Sequence, residues 1–187
     1  MDGLIYKVCS IKKEIETWKF YDLEGKQLRE PSENTYFPSS MNRRYRAKRK
    51  ENAIDEDISC VWFLIGKKNN VSRWIQVGRT SNITNMLSND IKNDIKEFYS
   101  GHGRYGELQK KYTELIFYEV DIEKYIKTDT EAQKILGTSP IDINLRMAYF
   151  VNCAAYIEGR MAFEHTPDLY NPSILDGCYY RYFKDKK

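Results

Sequence analysis

The sequence predicts an α+β fold: a small three-stranded antiparallel sheet flanked by helices, preceded by a β-rich N-terminal extension. Three observations carry this expectation. An apolar run and an alternating run sit back to back across a polar turn, two helical stripes surround a further β-rich segment, and the apolar content is that of a packed domain. The chain has 187 residues, of which 41% are apolar, 14% aromatic and 30% charged. That suits one domain with a modest appendage, divided here into 1–57 and 58–187.

In the extension, "GLIYKVCSI" and "TWKFYDLEGKQL" read as two strands or a hairpin, with Leu23 to Lys26 turning. "REPSENTYFPSSMN" reads as loop because Pro, Ser and Asn dominate it. "SCVWFLIG" is then a buried strand that ends at Gly66 and "KKNN", and "VSRWIQVG" returns as its antiparallel partner. Ser81 or Asn82 offers an N-cap to a helix with apolar residues at 83, 86, 87, 91, 95 and 98, which Gly101 and Gly103 stop. Residues 112–122, "YTELIFYEVDI", form a third strand by β-branched and aromatic content. A final long helix over 142–164 starts at Asp142, just after Pro140. The expected order of the main domain is strand, strand, helix, strand, helix.

Cysteines at 9, 60, 153 and 178 show neither C-x-x-C spacing nor neighbouring histidines, which argues against structural zinc and for reduced thiols, with Cys60 and Cys153 in apolar segments. No apolar run approaches the roughly 20 residues of a membrane span, and the N-terminus lacks a signal-peptide pattern, so a cytoplasmic protein with no membrane partner is expected. Net charge is only +3 but unevenly placed. Arg43, Arg44, Arg46, Lys48, Arg49 and Lys50 form a run without acids, with Tyr45 among them, before the acidic "ENAIDED". Such a run suits a phosphate backbone, and equally suits a solvated loop balanced by the acids that follow.

Glu158 is the unusual residue of the last helix. Apolar or small residues at 147, 150, 151, 154, 161 and 162 form one face, and Glu158 falls on that side by spacing. A carboxylate leaving water there wants a cation, either a metal or a neighbouring Arg or Lys.

The stretch "EGRMAFEHTPDLYN" resembles the closing motif of GIY-YIG nuclease domains, with Glu158, Pro167, Tyr170 and Asn171 at the matching positions. The step to Asn171 is one residue longer than the commonest form. "CVWFLIG" and "WIQVGRTSNI" occupy the place of the family hairpin, and the resemblance covers roughly residues 59–173. It implies that Glu158 holds a divalent metal such as Mg²⁺ and that Asn171 completes the site. The family's two tyrosines map to Trp62 and Gln76 and its helix arginine to Met86, so the phenol that activates water and the cation that stabilises the transition state are missing. Arg79 is the first candidate for a replacement cation and Arg104 the second. His102, His165 and Tyr6, which follows Gly3, are further candidates for rebuilding the site. The resemblance also implies that Glu158, Asn171 and Gln76 converge at one shallow cleft.

The resulting expectation is a degenerate GIY-YIG-like protein that binds DNA through residues 43–50 and Arg104, with little or no phosphodiester hydrolysis. The alternatives are an active Mg²⁺-dependent restriction or repair endonuclease with a rebuilt site, and a protein-interaction module such as an inhibitor of a defence nuclease.

Overall fold

The computed structural model describes residues 4–15, 17–21, 25–28, 60–80 and 107–168. Six strands and four helices lie within them: β1 (Ile5–Glu14), β2 (Thr17–Tyr21), β3 (Gln27–Leu28), β4 (Cys60–Lys68), β5 (Val71–Thr80), α1 (Leu108–Lys111), β6 (Glu114–Val120), α2 (Ile122–Thr128), α3 (Thr130–Leu136) and α4 (Ile143–His165). The expected helix over 81–98 and the basic run lie outside the described residues.

The strands form one sheet in the order β3-β2-β1-β6-β4-β5, with every neighbouring pair antiparallel. The expected α+β class and the β4-β5 hairpin with β6 beside it are present, but the sheet has six strands rather than three. The reason is backbone pairing. Strand β6 has a second edge of N–H and C=O groups, and β1 fills it from Ile5↔Val120 to Lys12↔Glu114. The N-terminal strands therefore widen the same sheet.

The β4-β5 connection uses Asn69 and Asn70, with φ of 51° and 64°. Two successive positive φ values match the twist of a two-residue hairpin, and asparagine tolerates them better than most side chains. Gly25, which precedes β3, has a φ of 80°, a conformation glycine adopts without steric cost.

On one face of the sheet, α4 packs Cys153, Ala154, Tyr156, Ile157 and Met161 against Val61, Phe63, Val77 and Val120. Ile122, Ile126 and Ala132 of the two short helices α2 and α3 complete that core. Periodicity does not reveal helices this short, but their N-cap residues are visible in the sequence: Asp121 accepts from the Lys124 amide and Asp129 from the amides of Glu131 and Ala132. The opposite face buries Trp62, Leu64 and Phe117, with Trp62 and Phe117 ring centroids 6.4 Å apart.

Cys9 and Cys153 are buried free thiols. Burial pushes Cys9 well above its ordinary value and Cys153 to about 11, so both stay protonated near neutral pH. Among the described residues, no helix is long and apolar enough to cross a membrane.

Candidate functional site

Helix α4 sets the position of Glu158. Asp142 accepts a hydrogen bond from the Leu145 amide at 3.0 Å and caps the helix start. The buried face includes Ile157 and Met161, and Glu158 stands at its margin, its side chain 18% exposed. Across from it is β5. Val77 belongs to the core under α4, and Arg79, two residues on, projects from the same face because side chains alternate along a strand. The Arg79 Nε lies 2.8 Å from Glu158 Oε2. The carboxylate on the apolar side of the helix is thus met by the first-ranked candidate cation.

Trp62 and Gln76 do not join this pair. In the β4-β5 register Trp62 pairs with Gly78 and Leu64 with Gln76, whereas Val61 pairs with Arg79 and Phe63 with Val77. The second set faces α4 and the first faces away. Gly78 confirms the direction of Trp62, since a Cβ there would come within 2.6 Å of the indole. The expected convergence of Gln76 with Glu158 is therefore not found. The sheet separates them, because Gln76 and Arg79 are an odd number of positions apart along an extended strand. Trp62 is also 4% exposed, and its indole N–H has no hydrogen-bond partner among the described residues. It is a packing residue of the second core.

Asn171, Arg104, His102, Met86 and Arg43, Arg44, Arg46, Lys48, Arg49 and Lys50 lie outside the described residues. His165, at the end of α4, stacks on Trp74 with ring centroids 3.9 Å apart and planes 4° from parallel. Its pKa is lowered by partial desolvation, so neutral imidazole is favoured there. Tyr6 is engaged with Lys124, whose Nζ lies 2.7 Å from the phenol oxygen.

Two polar arrangements go beyond what sequence reasoning finds. Arg160 of α4 bridges to Asp129 and Glu164, tying the long helix to the start of α3. Its i,i+4 spacing to Glu164 is the legible half of that network. The Tyr112 hydroxyl donates to Asp168 Oδ2 at 2.9 Å, and the Asp168 amide donates to the Trp74 carbonyl at 3.2 Å. This fastens the segment after α4 to the hairpin. Tyr112 precedes β6 instead of belonging to it, and no local pattern links it to a residue 56 positions away.

Among the described residues, the partner of the Glu158 carboxylate is a cation and not a further oxygen ligand that would help hold a hard dication. One carboxylate oxygen already accepts from a guanidinium, and a cation at that distance opposes a second positive charge. What the arrangement does chemically is neutralise a semi-buried carboxylate and fasten α4 to the edge strand β5. No family model, curated protein or solved structure matches this chain.

Proposed function

We propose that this protein binds DNA without hydrolysing it. The observation that carries the reading is the Arg79–Glu158 pair on one face of the sheet, with Gln76 and Trp62 on the other. Among the described residues, the carboxylate is held by arginine and the two tyrosine-equivalent positions lie behind the sheet, which argues against their positioning and activating water beside Glu158. The opposite-face placement of Gln76 and Glu158 removes the expected likeness to GIY-YIG domains, so the proposal takes no support from that family. DNA as the partner rests on the basic run at 43–50.

Two measurements test it. A labelled duplex should bind with an affinity that falls as salt rises. Replacing Arg43, Arg44, Arg46 and Lys48 with alanine should weaken binding for all sequences alike, lowering the salt slope by about 0.9 for each phosphate no longer neutralised. Supercoiled plasmid incubated with Mg²⁺ or Mn²⁺ should stay intact. Mg²⁺-dependent nicking that disappears in Glu158→Gln would instead establish the endonuclease reading, and absence of any duplex binding would favour the protein-interaction reading.

The same variant carries a stability prediction. Glu158→Gln should lower unfolding free energy by on the order of 1 kcal/mol, between the values for exposed and buried pairs, because the two side chains are 18% and 32% exposed. Urea unfolding checks this, and Mg²⁺ should leave the midpoint of both proteins unchanged.

A further inference from the structure

The turn of the β4-β5 hairpin forms one wall of an open cleft of about 440 Å³, lined by Lys68, Asn69, Val71, Arg73, Lys111, Tyr112 and Asp168. Three segments far apart in sequence build it. Lys68 and Arg73 flank the hairpin turn, Lys111 ends α1, and Asp168 follows α4. The Thr113 amide donates to the Lys67 carbonyl at 2.9 Å, which holds the end of α1 against the hairpin and brings Lys111 to Lys68. The Tyr112–Asp168 hydrogen bond closes the other side.

Among the described residues, three cations line the cleft against one carboxylate. Among the described residues, none of the three is held in an ion pair, whereas Arg79 and Arg160 each are. Exposed cations gathered around a concave surface and not matched by acids focus a positive potential. Asp168 is the exception, and its Oδ2 already accepts from the Tyr112 hydroxyl. Arg73 supplies a planar fork suited to two phosphate oxygens, the lysines supply mobile point charges, and the Asn69 amide adds a neutral donor.

We propose that this cleft is a phosphate-binding site that takes the backbone of a nucleic acid, a second contact surface besides residues 43–50. The inference rests on the DNA-binding reading above and names a surface for it. The lysine and arginine side chains lining this open cleft contact phosphate and not base edges, so the contact is independent of sequence.

The test uses the full chain and a short fluorescein-labelled duplex titrated across a salt series. The triple variant Lys68→Gln, Arg73→Gln, Lys111→Gln should bind about tenfold or more weakly at low salt, with a slope smaller by about 0.9 for each phosphate no longer neutralised. Asp168→Asn keeps an acceptor for Tyr112 and removes the opposing charge, so it should bind up to about fivefold more tightly. All three substituted cations are exposed, and an unchanged thermal midpoint in the triple variant shows that its fold is kept. Wild-type affinity and slope in that variant overturn the inference while leaving the DNA-binding reading in place. Failure of the wild-type chain to bind duplex overturns both. If the triple variant loses only its stabilisation by inorganic phosphate, with duplex binding unchanged, the nucleic-acid assignment is overturned.

Discussion

Trp62→Ala should cost about 3–5 kcal/mol of stability, the range for truncating a buried large aromatic. The ring is 4% exposed, lies against Gly78 and packs near Phe117, so its removal leaves a void that the surrounding strands cannot close. Trp62→Phe should behave differently. It removes an indole N–H that is buried without a partner among the described residues, and relief of that group offsets part of the missing packing, leaving a change within about 1 kcal/mol. Equilibrium urea unfolding of the two variants separates these effects. A loss under about 1 kcal/mol in Trp62→Ala would mean that the ring is not part of a packed core. Trp62→Tyr should not confer nicking of plasmid DNA, since a phenol at this position points away from Glu158.

Gly66→Ala should cost about 1–3 kcal/mol, the range for overpacking a filled site. A Cβ at this position would stand 2.6 Å from Ile75 Cδ1 and 2.7 Å from the Tyr112 ring. Ile75 presents the movable end of its side chain. Tyr112 is less free, because it is buried and its hydroxyl is held by Asp168. The ring must shift, and that shift strains the hydrogen bond that closes the basic cleft. The cost should therefore fall sharply in a Tyr112→Ala background, where the clash with the ring is gone, and the difference measures the coupling. Equal costs in the two backgrounds would show that Tyr112 does not lie over Gly66. The hydroxyl itself has its pKa raised to about 12, first by burial and then by the adjacent carboxylate, so the hydrogen bond to Asp168 persists through the neutral range.

Local pattern makes much of this fold legible. The continuous apolar run of β4 predicts a strand covered on both faces, and Val61 to Ile65 are all buried. The polar "KKNN" predicts the tight turn that Asn69 and Asn70 make with positive φ. Asp142 after Pro140 places the start of α4, whose range of 143–165 agrees with the expected 142–164 to one residue. The need of Glu158 for a cation follows from the helical period and the hydration of a carboxylate, and Arg79, near the end of β5, supplies it.

What the chain alone could not decide depends on contacts between distant segments. Pairing of β1 with β6 makes the sheet six strands wide, and an edge looks the same in sequence whether or not another strand covers it. The side of the sheet that Gln76 and Trp62 occupy depends on register, where one position exchanges the faces; the bulge between Leu64 and Ile65 shifts that count within the hairpin. Motif spacing sets neither. The basic cleft joins Lys68 and Arg73 to Lys111 and Asp168 through the docking of α1 and the end of α4 on the hairpin, so its charge cluster exists only once the chain is folded. Periodicity and composition determined the long elements, β4, β5, β6 and α4, and the demand for a counter-ion at Glu158; long-range backbone pairing and side-chain packing decided which residues share a face.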